Sequence, residues 1–327
     1  GSGTITFLDL EYQKLRKYSS TGAFLMAIGN GAKSDNNLSS TLAGLYLSTS
    51  SYFDSSNFLS DASGSFYISD NENHKIKKYS STGSWLMTLG ATLETNNLST
   101  TWAKIISTTM PPSLHVNNSW DIWVVEDRSI HRYSSTGSWL TSIGIGTVTS
   151  YTGNLDNNLS GTSALYWSMY PPAFNGNYVG YVYSHNDYDD SIIIADRVNR
   201  KIKKYSNTGA WIVTIGSGID WDNTLSWPLA EIYEPSRLSA DAENNIYIYN
   251  SDGVSTNIKK YSSTGTYLDR SDLSGGEYWI LNLNNDGSWG NLYDDSPWWV
   301  GYGQYFRSYS FTGQELLSIR HNGSHVP

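Results

Sequence analysis

The sequence predicts an all-β fold, a β-propeller of six four-stranded antiparallel blades, on three observations. A short motif that ends in Ser-x-Thr-Gly recurs six times in the 327 residues, and its sixth copy is degenerate at its first residue. Each copy lies between two runs typical of β-strands, and two more such runs precede most copies. Four-stranded units repeated in this way are typical of propellers. The six copies begin at Lys17, Lys78, Arg132, Lys204, Lys260 and Ser308.

Each predicted blade contains strands a to d, counted from the inside outward. Strand b is apolar on both pleat faces, as in Ile192 to Ile194, which favours sheets packed on both sides. The motif forms the end of strand c and a tight turn into strand d, where glycine permits positive φ. A β-solenoid is the alternative, but the capping ends that it needs are not visible. The predicted blades of a single domain, 1–327, cover residues 1–29, 52–90, 111–144, 171–216, 234–272 and 277–320.

One unit resembles a blade of the NHL-repeat family. It runs from Leu59 to Asp70, through Asn73 to Tyr79, and on to the Gly83 turn, and Asp196 to Ile202 repeats part of it. The resemblance covers blades 2, 4 and 5 well, blade 3 partly and blade 6 poorly. It implies a six-bladed propeller of NHL type. It implies no single function, because such folds carry enzymes, scaffolds and ligand binders.

Blade 1 is predicted to lack its innermost strand. An offset of 61 residues places Gly3 on Gly64 and Asp9 on Asp70, so the sequence begins at the turn between strands a and b. Three explanations stay open. Blade 1 has three strands, the chain is a fragment of a longer protein, or a neighbouring molecule supplies a strand by β-augmentation.

Composition narrows the classes of partner and the compartment. A net charge of −9 argues against nucleic acid and anionic lipid, and no run is long enough to span a membrane. The absence of cysteine excludes disulfides and zinc–thiolate sites. Few charged residues and abundant Ser, Thr, Asn and Tyr favour an extracellular or cell-surface protein.

The long links from strand d to the next strand a are the predicted binding face. Related Asn-rich segments recur in them near residues 35–39, 96–99, 156–160 and 222–226. Acidic side chains beside tryptophans suit sugar rings, whose C–H faces stack on indoles. The alternative is that the tryptophans fasten the loops to the blades. The candidate ligand-binding residues are Trp102, Trp167, Trp221, Trp227, Trp298, Trp299, Asp35, Asp156 and Asp222.

The same links contain Asn-x-Ser/Thr acceptors, which predict a glycoprotein if the host glycosylates surface proteins. Three of the acceptors lie in the repeated Asn-Asn-Leu-Ser segments. The candidate glycosylation sites are Asn37, Asn97, Asn117, Asn158 and Asn322.

No catalytic pattern stands out, so the sequence predicts a protein that is not an enzyme, without catalytic residues or a cofactor. Calcium is the weak alternative, because Asp9, Asp70 and Asp196 end strand b at one register, but turn capping is the favoured explanation of these aspartates. The predicted function is non-catalytic recognition of a glycan or a protein partner through the long-loop face. The alternatives are a structural subunit of a surface assembly, joined through the open blade 1, and a metal-dependent hydrolase or lyase.

Overall fold

A computed structural model describes the chain from residue 3 to residue 321 with gaps. The described residues are 3–47, 58–61, 63–70, 73, 75–90, 113–117, 119–125, 130–144, 184–186, 189–196, 201–216, 237–251, 256–272, 280–283, 288–294, 304–312 and 314–321. They form six antiparallel sheets in which each strand pairs with its neighbours in the sequence. Besides the strands, these residues include the 3-10 turn Ser40–Leu42, bends, turns and irregular segments. None of their helices has the length and apolar character that a membrane crossing needs.

The first three sheets belong to one compact unit of the chain. Sheet 1 has three described strands and sheets 2 and 3 have four each. Their strands are β1 (Thr4–Asp9), β2 (Lys14–Ser19) and β3 (Phe24–Ile28); β4 (Phe58–Ser60), β5 (Phe66–Asp70), β6 (Lys75–Tyr79) and β7 (Trp85–Leu89); β8 (Ser113–Val116), β9 (Ile122–Val125), β10 (Ile130–Tyr133) and β11 (Trp139–Ile143).

The second compact unit contains sheets 4, 5 and 6, each with four strands. Their strands are β12 (Ser184–Asn186), β13 (Ile192–Asp196), β14 (Lys201–Tyr205) and β15 (Trp211–Ile215); β16 (Arg237–Ala240), β17 (Ile246–Ser251), β18 (Thr256–Tyr261) and β19 (Tyr267–Asp272); β20 (Ile280–Leu283), β21 (Trp289–Asp294), β22 (Gln304–Tyr309) and β23 (Glu315–His321).

Sheets pack face to face within each unit, which explains why strand b is apolar on both sides. In the first unit, Leu15 and Ile28 of sheet 1 pack against Ile68 and Tyr79 of sheet 2. The other face of sheet 2, through Ile76, packs against sheet 3. Similar cores join sheet 4 to sheet 5 and sheet 5 to sheet 6. Burying both faces of a sheet removes apolar area from water at roughly 25 cal/mol per Å².

The repeated motif closes the same hairpin in sheets 1 to 5, where the structure describes all of its residues. In sheet 2, the Ser80 hydroxyl accepts from the Ser84 N–H at 3.0 Å, and the Gly83 N–H donates to the Ser80 carbonyl at 2.9 Å. Gly83 has φ of 86°, which a side chain would strain. The predicted Ser-x-Thr-Gly turn is therefore present, and its serine supplies the side-chain acceptor that the turn needs.

One feature of this hairpin was not predicted. The register shifts just before the motif tyrosine in all six sheets, so that Tyr79 opposes Trp85 while Lys78 opposes Met87. The residue between, Leu86, is the extra residue of a β-bulge. The corresponding residues of the other sheets are aliphatic and exposed as well: Leu25, Leu140, Ile212, Leu268 and Leu316.

Candidate functional site

The link from sheet 1 to sheet 2 is the long connection of which the structure describes the largest part, residues 29–47. Side-chain amides hold its backbone. The Gln13 side chain donates to the Leu47 carbonyl at 3.0 Å and accepts from the Leu47 N–H at 2.5 Å. The Asn36 carbonyl oxygen accepts from the N–H groups of Leu38 and Gly44. Because these hydrogen bonds hold the loop backbone, the loop presents a fixed surface.

Asp35, a predicted ligand-binding residue, lies within a network of ion pairs. Its carboxylate contacts Lys75 Nζ and lies 3.3 Å from Lys77 Nζ. Burial alone would raise the pKa of Asp35, but the hydrogen bond from Lys75 and the charge of Lys77 lower that pKa below its ordinary value. Asp35 is therefore ionised at neutral pH, and its charge is opposed by two lysines of the next sheet.

Lys77 is fully buried between two carboxylates. Its ammonium lies 2.5 Å from Asp70 Oδ2 and donates to the Gly44 carbonyl at 2.6 Å. Asp70 also accepts from the Tyr46 N–H at 2.6 Å and from the Asn73 amide at 2.8 Å. Burial raises the pKa of Asp70, although Lys77 and these hydrogen bonds oppose that shift. The network joins the end of strand b, strand c and the incoming loop.

The strand-end acids considered for calcium have protein partners in sheets 1 and 2. Asp9 pairs with Arg16 at 2.7 Å and accepts from the Tyr12 N–H at 3.0 Å, and Asp70 pairs with Lys77. The side chain of Asp196 lies outside the described residues. Within the described part of the chain, no three His, Asp or Glu side chains are arranged to hold a metal ion.

The described loop exposes two large apolar side chains among polar residues. Asn37, a candidate glycosylation site, accepts at its side-chain oxygen from the Thr88 hydroxyl at 2.7 Å. Leu38 and Leu42, in contrast, are 53% and 62% exposed. Of the four leucines in this loop, Leu38 and Leu42 thus face solvent, whereas Leu45 and Leu47 are buried.

Asn117 is the other candidate glycosylation site among the described residues, and it is buried. Its side-chain oxygen accepts from the Asp121 N–H at 2.8 Å and holds the turn between β8 and β9. A glycan on its side-chain nitrogen therefore requires this turn to open. The remaining predicted site residues lie outside the described ranges: Trp102, Trp167, Trp221, Trp227, Trp298, Trp299, Asp156, Asp222, Asn97, Asn158 and Asn322.

His131 occupies in sheet 3 the position that Lys77 has in sheet 2. Its Nδ1 lies 2.8 Å from the Ser142 hydroxyl, which also accepts from the Trp139 indole at 2.9 Å. Burial lowers the pKa of His131 to about 4, so the imidazole is neutral at physiological pH. This histidine forms part of the core of the sheet.

Comparison with solved structures identifies the fold. A structure described as streptogramin B lyase superposes with a TM-score of 0.53 at 11% identity, over 98% of this chain and 80% of that one. Virginiamycin B lyase from Staphylococcus aureus superposes with a TM-score of 0.51 at 9% identity, over 98% and 81% of the two chains. No family model matches the chain, and no curated protein matches it.

These findings confirm the predicted class, an all-β propeller built from four-stranded antiparallel sheets. They also correct one prediction. The expectation of a protein that is not an enzyme rested on the absence of a catalytic pattern. Both superposed structures are described as lyases, so this fold supports catalysis and the exclusion does not hold. The chain therefore has a β-propeller fold.

Proposed function

We propose that the protein is an extracellular or cell-surface recognition propeller, and that its long-loop face binds a protein partner. One observation carries this proposal. In the described loop the side chains of Asp35 and Asn37 contact sheet 2, and Asn36 holds the backbone of the loop itself. Leu38 and Leu42, in contrast, are exposed. A rigid loop that presents apolar side chains fits a protein surface better than a sugar hydroxyl.

The repeat supports the same proposal. Leucine follows the Asn-rich pair in three further links, as Leu98, Leu159 and Leu225. Several exposed leucines on one face would form an apolar patch, and such patches mark interaction sites. The composition, rich in Ser, Thr, Asn and Tyr and low in charged residues, supports the proposed location.

Site-specific photocrosslinking tests the proposal. A photoreactive residue replaces Leu38 in one variant and Leu268, an exposed bulge residue of another sheet, in the control. After incubation with surface proteins of the native host, we expect a discrete adduct from position 38 and none from position 268. Leu38→Ser should then weaken direct binding of the purified partner. Equal labelling at both positions would contradict the proposal. A glycan array that binds the wild-type protein but not Leu38→Ser would instead identify a sugar ligand.

The superposed lyases favour a second candidate, a lyase of the propeller class. The test is to incubate the protein with streptogramin B, with and without divalent cations, and to follow the substrate by mass spectrometry. Conversion of the substrate by the folded protein, absent from a heat-treated sample, would favour this candidate. An unchanged substrate under all conditions would count against it.

A further inference from the structure

The described loop contains an asparagine that glycine follows directly. Asn30 is exposed, and Gly31 has φ of 83°. Every other asparagine among the described residues precedes a residue with a side chain, and the two further Asn-Gly pairs of the sequence, at 175–176 and 322–323, lie outside the described ranges. Glycine lacks the Cβ that would hinder the approach of its own backbone nitrogen to a neighbouring group. The Asn30 side chain is therefore open to attack from the main chain.

The two groups that would react are both accessible to each other. The Gly31 N–H donates to no backbone carbonyl within the described part of the chain. Asn30 Oδ1 accepts from the Ala32 N–H at 2.8 Å. This hydrogen bond draws electrons from the amide carbon of Asn30. It would also stabilise the negative charge that develops on Oδ1 when a nucleophile adds to that carbon.

A cation lies beside the same peptide unit. An ideal Cβ on Gly31 would lie 3.6 Å from Lys14 Cε and 4.0 Å from Lys14 Nζ. A nearby ammonium favours the negatively charged form of a group, so Lys14 promotes loss of the Gly31 amide proton. The same ammonium would attract a carboxylate formed at position 30.

From these observations we infer that Asn30 is a site of covalent modification, where the side-chain amide is lost through a cyclic imide with the Gly31 nitrogen. A base removes the Gly31 amide proton, the nitrogen bonds to Asn30 Cγ, and Nδ2 takes up a proton and leaves as ammonia. Water then opens the imide. Cleavage at Cγ gives aspartate, and cleavage at the main-chain carbonyl carbon gives isoaspartate. The inference goes beyond the proposed function and does not depend on it.

The two products affect the loop differently because Asn30 lies between two anchors. The Asn30 N–H donates to the Ala43 carbonyl at 2.8 Å, and Lys33 pairs with Leu45 in a parallel bridge. Aspartate leaves the main chain unchanged and adds a negative charge. Isoaspartate inserts a methylene group into the main chain between the two anchors, so both pairings cannot keep their register. We therefore expect isoaspartate to release a loop that is otherwise held in place.

Ageing of the folded protein in heavy-oxygen water tests the inference. After incubation at neutral and mildly alkaline pH, trypsin releases residues 18–33 between Lys17 and Lys33. We expect mass spectrometry with fragmentation to place a heavy oxygen at residue 30, and the conversion to accelerate with pH because hydroxide removes the amide proton. Isoaspartyl methyltransferase should label part of the product.

Asn36 provides an internal control in the same loop. Its Oδ1 also accepts from the N–H two residues further on, that of Leu38, at 3.4 Å, but Asn37 and not glycine follows it. Conversion at Asn36 should be at least about tenfold slower than at Asn30. Asn30→Gln should acquire no heavy oxygen at residue 30, because its longer side chain forms the imide poorly.

Hydrogen exchange tests the effect on the loop. The amides of Gly29 and Asn30 are hydrogen-bonded within it, and they should exchange faster in the aged, deamidated fraction. Asn30→Asp carries the same charge on a normal main chain, and it should exchange these amides as the wild type does. The Gly83 amide, in the hairpin turn of sheet 2, serves as the reference.

The inference would be overturned if residue 30 acquired no heavy oxygen, or if Asn36 converted as fast as Asn30. It would also be overturned if the folded protein converted more slowly than a synthetic peptide of residues 24–36, since the fold would then protect Asn30. Unchanged exchange in an isoaspartate-containing fraction would contradict the predicted release of the loop.

Discussion

At the scale of single residues, buried charge is the most informative feature of this protein. Lys77, Lys203 and Lys204 are almost completely buried, which is rare for lysine unless it is paired. The buried charge of Lys77 is paired, because Asp35, Asp70 and the Gly44 carbonyl surround its ammonium. A buried lysine of this kind links a strand, a loop and the neighbouring sheet. Removing it lowers the free energy of unfolding by more than removing one partner of an exposed ion pair does.

The first prediction compares two lysines of β6 that contact the same carboxylate. Lys77→Met leaves Asp70 and the Gly44 carbonyl without their buried partner, so we expect the free energy of unfolding to fall by about 3–5 kcal/mol. Lys75→Met removes a pair that is partly open to solvent, and it should cost at most about 1 kcal/mol. Urea unfolding followed by tryptophan fluorescence measures both values. Equal losses would show that Lys77 is not a structural charge.

The second prediction concerns the pH dependence of stability. The pKa of His131 falls from 6.5 to about 4 on folding. Between these values the unfolded chain binds more protons than the folded chain, so stability rises with pH and falls on acidification. Acidification from neutral pH to pH 4 should remove about 3 kcal/mol through this residue.

His131→Gln should remove that part of the pH dependence. Urea unfolding of both proteins at several values between pH 7.5 and 4.5 provides the comparison, since contributions from other groups cancel in the difference. His115→Gln, on β8 of the same sheet, serves as the control because His115 is partly exposed. A parallel pH profile for wild type and His131→Gln would show that His131 titrates normally in the fold.

At the scale of the element, the hairpin between strands c and d repeats as a unit. A serine acceptor, a glycine with positive φ and a bulge one residue into strand d occur together, as in Ser80, Gly83 and Leu86. The bulge explains why an aliphatic residue is exposed at the same place in each sheet. It also aligns the strands so that the motif tyrosine opposes the first residue of strand d.

The third prediction separates backbone strain from packing at two of these glycines. Gly22 and Gly265 have φ of 84° and 85°. Alanine at either position should therefore lower the free energy of unfolding by about 1–2 kcal/mol. A Cβ at Gly22 meets nothing within 4 Å, whereas at Gly265 it would lie 2.7 Å from Val213 Cγ2 and 3.3 Å from Ile215 Cγ1. Gly265→Ala should therefore cost about 1–3 kcal/mol more than Gly22→Ala. Thermal and urea unfolding of the two variants test this, and equal costs would contradict it.

At the scale of the whole molecule, the distribution of charge limits the partners. The net charge is −9, and many of the lysines and arginines belong to strand c, where several are buried or paired. Nucleic acid binding requires a cationic surface that releases counterions.

The fourth prediction follows from that charge distribution. We expect no mobility shift of duplex DNA or structured RNA at physiological ionic strength, even at high protein concentration. A salt-dependent shift that titrates with the folded protein would show that a cationic surface exists, and it would contradict the argument from net charge.

Much of the fold was predictable because its signals are local. The Ser-x-Thr-Gly motif predicts a turn, and the apolar runs beside it predict strands. The alignment of Gly3 with Gly64 predicts that sheet 1 lacks its innermost strand, and the described part of sheet 1 has three strands. The turn and strand signals depend on residues close together in the chain, and the six copies of the repeat provide them several times.

The candidate site was less predictable because its contacts are distant in sequence. Asp35 was selected as an acceptor for a ligand, but its partners, Lys75 and Lys77, are some forty residues away and face it only after sheet 2 packs on sheet 1. The exposed bulge residues were missed because a bulge depends on the register between two strands, which neither strand shows alone. The assignment as a protein that is not an enzyme was wrong, since a missing motif says little about a fold that supports catalysis.

The sequence by itself determined that this chain forms repeated antiparallel sheets with a common turn, because periodic apolar residues and turn chemistry act over a few residues. The tertiary structure alone decided which polar side chains support the scaffold and which apolar ones remain exposed. That choice is made when sheets pack, since only packing determines whether a charge such as Lys77 meets a partner and whether a side chain such as Leu38 meets solvent.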